Sequence, residues 1–263
     1  KVNKDDVNSI DNASGVICGL ILNKEMPTDI SDEILAEFQK LKTQNAKRKT
    51  KESLHDDFLV AVRSSATAED SSSASWAGEL ESYLNTTEKT LLENVKKCWA
   101  SLFTPRAIFY RIEKGLSATK VSVAVVVQQM IQSEISGITF TVHPVTQDRK
   151  QMIIEAGWGL GEAIVGGMIT PDAYVVNKNT WEIMDVDIAE QEKIIVRDKA
   201  MGTKEATVPK SRQGKQKLNE KQIVELAKIC ANIEAHYGFP CDIEWSMDDG
   251  KFFIVQSRPI TTL

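Results

Sequence analysis

The constraint that most limits the fold of this chain lies at its C-terminus. Two runs of β-forming residues, Asp242-Ile243-Glu244-Trp245-Ser246-Met247 and Lys251-Phe252-Phe253-Ile254-Val255-Gln256-Ser257-Arg258-Pro259, flank Asp248-Asp249-Gly250. Turn chemistry between two such runs predicts a β-hairpin. Side chains alternate along a strand, so Gln256 and Arg258 share a face. With a three-residue loop, 248–250, Met247 pairs with Lys251 and Glu244 with Ile254, and Glu244 joins Gln256 and Arg258. A two-residue loop sends Glu244 to the other side. A carboxylate, an amide oxygen and a guanidinium on one surface suit a hard cation and a polyphosphate. The alternative is an edge hairpin with a solvated polar face.

A chain of 263 residues allows one large domain or two lobes, and its 42% hydrophobic content is ordinary for a folded protein. The net charge of −5 offers no electrostatic footprint for nucleic acid. No apolar run reaches membrane-spanning length, and Lys1-Val2-Asn3-Lys4 is no signal peptide. Cys18, Cys98, Cys230 and Cys241 form no C-x-x-C pair and read as buried, reduced thiols, which implies a cytoplasmic location.

Apolar spacing predicts helices over 29–42, over Leu91–Phe103, from Pro105 to near Gly115, and from Leu218 to Tyr237. Lys42–Lys51 reads as a solvated linker. Strands are expected at 58–63, at 121–127 as a buried strand ending at Gln128-Gln129-Met130, and at 138–142, 152–156 and 173–177. The basic, polar stretch 197–221 reads as a mobile excursion. Strands adjacent in sequence, mixed with helices, favour an α+β fold over a doubly wound parallel sheet.

The strand ending in Arg63 runs into a tract of small and hydroxyl residues and then Trp76-Ala77-Gly78. An arginine delivered into such a loop can cradle phosphate, although no Walker A motif is present; a surface loop is the alternative. Gly157-Trp158-Gly159-Leu160-Gly161-Glu162 is not a dinucleotide fingerprint and reads as a tight turn that packs Trp158. His55, His143 and His236 lack partners at zinc-ligand spacing, and His143 reads as a surface-loop residue.

Four segments together resemble one family. They are Val60-Ala61-Val62-Arg63-Ser64-Ser65-Ala66-Thr67-Ala68-Glu69-Asp70 with Ala77-Gly78 and Tyr83-Leu84-Asn85; Gln128-Gln129-Met130 with Ser136-Gly137-Ile138 and Pro144-Val145-Thr146; Gly159-Leu160-Gly161-Glu162 with Pro171-Asp172-Ala173-Tyr174; and Asp242-Ile243-Glu244-Trp245 with Gln256-Ser257-Arg258-Pro259. The chain is similar to the ATP-binding domain of phosphoenolpyruvate synthases (pyruvate, water dikinases), a domain shared with pyruvate phosphate dikinases and rifamycin phosphotransferases. The resemblance covers residue 58 to the end.

That resemblance implies an ATP-grasp-like fold of two lobes, 1–127 and 128–263, with ATP between them. It implies that Arg63 and Arg258 contact phosphates and act catalytically, that Gly78 and Ser82 lie in the covering loop, and that Gln129 sits near adenine. Glu244 and Gln256 would hold Mg2+. The phosphate would pass to a carrier histidine on another domain and then to pyruvate on a third, the phosphohistidine and pyruvate-binding domains being the partners. A rifamycin acceptor is the alternative, and a non-catalytic nucleotide-binding module is the alternative of another class. Ser71-Ser72-Ser73 and Glu79 depart from the common family pattern and imply a looser lid over 66–78. The family's Gly-Gly-Lys segment is absent, so the chain reads as a fragment trimmed at both ends. A missing charge-assisted contact of about 1.5–3 kcal/mol implies ATP binding weaker by roughly one to two orders of magnitude.

Overall fold

The computed structural model describes residues 2, 6–46, 58–66, 80–116, 121–198 and 202–260. They form two compact units, Lys1–Met130 with Ala200–Gly202, and Ile131–Lys199 with Thr203–Leu263. Both mix helices with antiparallel sheet, as the α+β expectation requires.

The first unit contains α1 (Val7–Asn23), α2 (Thr28–Ala46), β1 (Val60–Ala66), β2 (Ser82–Thr86), α3 (Glu88–Ser101), α4 (Pro105–Glu113) and β3 (Val123–Gln129). Its sheet has the order β2-β1-β3, antiparallel throughout. Val60 and Val62 alternate inward from β1 and pack with Phe38 of α2 and Leu91, Val95 and Cys98 of α3. Local chemistry sets the helix starts. The Thr87 N–H donates to Thr90 Oγ1 at 3.1 Å, and Pro105 opens α4 after Thr104, whose hydroxyl accepts from the Ala107 N–H.

Several expectations change here. The helix expected over 29–42 runs on to Ala46, because Asn45 is buried and accepts a hydrogen bond from Gln129, so the linker reading fails for 42–46. The remainder of that stretch lies outside the described residues, as do Gly78, Ser71-Ser72-Ser73, Glu79 and all of the expected lid except Ala66. The strand expected to be buried at 121–127 is, among the described residues, an outer strand of its sheet and runs through Gln129, and Val126 is 48% exposed. Helix α1 is unforeseen: Val7, Val16 and Leu20 face solvent, so no single apolar stripe marks it.

The second unit contains β4 (Ile135–Phe140), β5 (Gln151–Trp158), α5 (Glu162–Val165), β6 (Asp172–Asn177), β7 (Ile183–Asp187), β8 (Lys193–Arg197), β9 (Thr203–Thr207), α6 (Lys210–Gln213), α7 (Glu220–Tyr237), β10 (Cys241–Asp248) and β11 (Lys251–Pro259). Six strands form one antiparallel sheet, β11-β10-β4-β5-β6-β7, while β8 and β9 pair separately. One sheet face is covered by α7. There Met152, Ile154, Tyr174, Ile243 and Trp245 pack against Ile223, Leu226, Ala227 and Cys230.

Of the stretch 197–221, the described residues 197–198 and 202–221 are built into the fold rather than mobile. Strand β9 pairs with β8, and the following turns hold Val208 and Leu218 in the core. Gln191, itself buried, accepts from the Trp158 N–H and donates to the Trp158 and Lys193 carbonyls, acting as a short strand at the end of β5. Trp158 in turn has the Arg212 guanidinium 4.0 Å above its ring. Polar composition alone concealed this, because its lysine and glutamine side chains are used as internal partners.

The four cysteines are free thiols; Cys98, Cys230 and Cys241 are buried, and Cys18 is half-buried and donates to the Ala100 and Phe103 carbonyls. Burial pushes the Cys98 and Cys230 thiols up to about 12. No helix among the described residues is long and apolar enough to cross a membrane.

Candidate functional site

The C-terminal hairpin turns through two residues, Asp249 at φ 48° and Gly250 at φ 69°, so that Asp248 pairs with Lys251 and Met247 with Phe252. The expected loop of 248–250, with Glu244 opposite Ile254, is therefore corrected. In an unbroken ladder this loop would set Gln256 beside the core residue Ile243. A β-bulge intervenes: Trp245 pairs with Ile254, but Glu244 pairs with Gln256, and Val255 is the extra residue. Asp242 then pairs with Arg258 and Ile243 with Ser257. The outcome expected of the three-residue loop, Glu244 on the face of Gln256 and Arg258, is reached by another route.

Ile243 and Trp245 point into the core, so Asp242, Glu244, Gln256 and Arg258 occupy the sheet face opposite α7. The register extends this face across four more strands. One row reads Gln256, Glu244, Ile138, Glu155, Ala173, Asp187, and the next reads Arg258, Asp242, Phe140, Ile153, Val175, Asp185. Glu155 stands two strands from Glu244, about 9–10 Å at the usual strand spacing.

Two acids in these rows escaped the sequence reading. Burial, with the neighbouring Glu244 carboxylate, raises the Asp242 pKa above the ordinary carboxylate range, and Arg258 opposes this. Asp242 Oδ1 is a buried oxygen without a hydrogen-bond partner. Burial and the Asp242 charge likewise raise Glu155. Parity from Glu244 exposes Asp242 at once, being two residues upstream. Glu155 needs the β4–β5 register, which no local motif carries.

The first unit holds the other expected site residues. Arg63 lies on β1 directly opposite Ser82 of β2 and Val126 of β3, half-buried, with Ser82 exposed. Gln129 closes β3 opposite Val60, on the sheet face that packs on α2, and its Nε2 donates to Asn45 Oδ1 at 2.9 Å. Arg63 and Gln129 thus stand on opposite faces of their sheet. His143 is a turn residue: its Nδ1 accepts from the Val145 and Thr146 N–H groups.

Among the described residues no group of three or more His, Cys, Asp or Glu side chains is placed to hold a metal ion. What the hairpin supplies is an all-oxygen set, Asp242, Glu244 and the Gln256 amide, with one carboxylate oxygen unpartnered. Mg2+ typically takes only one or two protein carboxylates, its shell being completed by water and ligand phosphates, and this set fits that demand.

The sheet face opposite α7 thus carries acids and an amide beside an arginine, and the sequence comparisons identify the family of the chain. The whole chain, residues 1–263, matches the family described as Pyruvate phosphate dikinase, AMP/ATP-binding domain, and the chain belongs to that family. Among curated relatives it is 46% identical over 98% of its length to "Probable phosphoenolpyruvate synthase" of Methanocaldococcus jannaschii. It is 44% identical over its full length to "Phosphoenolpyruvate synthase" of Pyrococcus furiosus, and 47% identical over 79% of its length to "Rifampicin phosphotransferase" of Bacillus cereus. It spans 21%, 32% and 24% of these relatives respectively.

Proposed function

We propose that this chain is an ATP-grasp-like domain of two lobes that binds ATP with Mg2+ and serves phosphoryl transfer in a pyruvate, water dikinase. The observation that carries the reading is the bulged hairpin, which pairs Glu244 with Gln256 and Asp242 with Arg258 on the one sheet face that α7 leaves uncovered. Glu244 and the Gln256 amide oxygen would hold the ion, with Asp242 Oδ1 as an additional acceptor. Bound Mg2+ neutralises polyphosphate charge and orients it for displacement. Arg258 binds a phosphate oxygen and offsets part of the effect of burial on Asp242. Arg63, delivered by β1, would bind phosphate, and Gly78 and Ser82 would supply backbone N–H and hydroxyl donors to it. Gln129, fixed by Asn45, orients the base.

In the longer protein the phosphate passes to a carrier histidine and on to pyruvate, supported by the phosphoenolpyruvate synthase names at 44–46% identity. A second reading, transfer to a rifamycin, is supported by the 47% identity to a rifampicin phosphotransferase. The acceptor is chosen outside these residues, so assaying the full-length protein with pyruvate and with rifampicin in parallel separates the two. Formation of AMP with phosphoenolpyruvate supports the first reading, and drug-dependent AMP formation the second.

A further inference from the structure

Strand β7 is the outermost strand of the six-stranded sheet among the described residues, at the end remote from the hairpin. Its surroundings are unusual for a strand edge. Met184, Val186 and Ile188 are 50%, 41% and 42% exposed although apolar. Between β7 and the start of α7 runs a groove of about 450 Å3, lined by Trp181, Ile183, Val186, Glu220, Ile223 and Val224 among others. The segment 182–192 carries Glu182, Asp185, Asp187, Glu190 and Glu192 and neither lysine nor arginine.

The register sorts these side chains. Val186 pairs with the core residue Tyr174 and so faces the groove, whereas Asp185 and Asp187 pair with Val175 and Ala173 and face the opposite side. A strand laid against β7 would alternate in the same way: basic side chains opposite Asp185 and Asp187, apolar ones entering the groove beside Val186. The Val186 N–H donates to Asp185 Oδ1 at 3.0 Å. Pairing would exchange that short contact for a ladder hydrogen bond and release the carboxylate to an incoming cation.

We propose that the β7 edge and its groove dock an extended segment of a partner protein in which basic and apolar residues alternate, added to the sheet as a seventh strand. Charge complementarity selects this occupant over a neutral or acidic one, and the groove's apolar lining selects it over a purely basic one.

The test uses a fluorescein-labelled octapeptide of alternating lysine and valine, titrated with the chain in anisotropy measurements, against an alternating glutamate–valine octapeptide. The expected result is saturable binding of the first only, weakened about tenfold by the exposed double substitution Asp185→Lys/Asp187→Lys. Amide exchange is expected to slow over 183–188. Glu220→Lys, at the groove rim and outside the strand, gives a second variant should the first fold poorly. No binding of the lysine–valine peptide, equal binding by the variants, or slowed exchange elsewhere would overturn the proposal. So would concentration-dependent dimerisation in sedimentation that the double substitution abolishes, since a second copy would then be the occupant.

Discussion

Asp172 and Lys217 form an ion pair with both side chains fully out of water, Lys217 Nζ standing 2.7 Å from Asp172 Oδ1. Both carboxylate oxygens of Asp172 have further partners. Asp172 accepts the Ala189 N–H, the Lys217 N–H and the Tyr174 hydroxyl, and Lys217 Nζ also donates to the Ala189 carbonyl. The pair therefore ties strand β6 to both ends of the excursion carrying β8, β9 and α6.

Breaking this pair from one side is expected to be costly. Lys217→Met leaves a buried carboxylate without its cation and should lower unfolding free energy by about 3–5 kcal/mol in urea titration. Asp172→Asn in the same background should recover part of that loss, because the uncompensated charge is gone. Additive losses in the double variant would contradict this.

Gly137 occupies a position where a side chain has no room. A Cβ built there meets the Glu155 carbonyl oxygen at 1.9 Å and the Trp245 ring at 2.4 Å. Because one neighbour is backbone in the adjacent strand, relaxation is limited. Gly137→Ala should cost about 3 kcal/mol or more, with broadened thermal unfolding. A loss below about 1 kcal/mol would show that β4 and β5 approach less closely.

The acids on the face opposite α7 set a pH dependence. Asp242 and Glu155 titrate higher folded than unfolded, so their contribution to stability is fully present below about pH 4, where both states are protonated, and is lost as pH rises through the folded values. Asp242→Asn should therefore stabilise the ligand-free chain at pH 7 and flatten its stability curve above pH 4. A variant less stable than the parent at pH 7 would mean that Arg258 outweighs the burial of Asp242.

The pieces legible in the sequence were those written locally. Helical spacing marked α3 and α7, period-two alternation and turn residues marked the hairpin, and four motifs marked the family. What stayed hidden depends on distant partners. The bulge at Glu244/Trp245 cannot be read from Val255, because it is what turns Gln256 and Arg258 away from the core face after a two-residue turn. Glu155 joins the candidate site only through β4. The stretch 197–221 looked unstructured because its anchors are Lys217 and Arg212, residues that composition assigns to solvent. Helix α1 lacked a stripe because its apolar residues point both inward and outward.

The central claim is that the hairpin face is where nucleotide and Mg2+ bind. Titration calorimetry of the chain with ATP, with and without Mg2+, in the parent and in Glu244→Gln, Gln256→Ala and Arg258→Ala, tests it most directly. The account predicts Mg2+-dependent binding, with each substitution weakening it by about tenfold or more, in line with the loss of a charge-assisted contact or metal ligand. ATP binding that ignores Mg2+, or that is unchanged in the Glu244 and Arg258 variants, would contradict it.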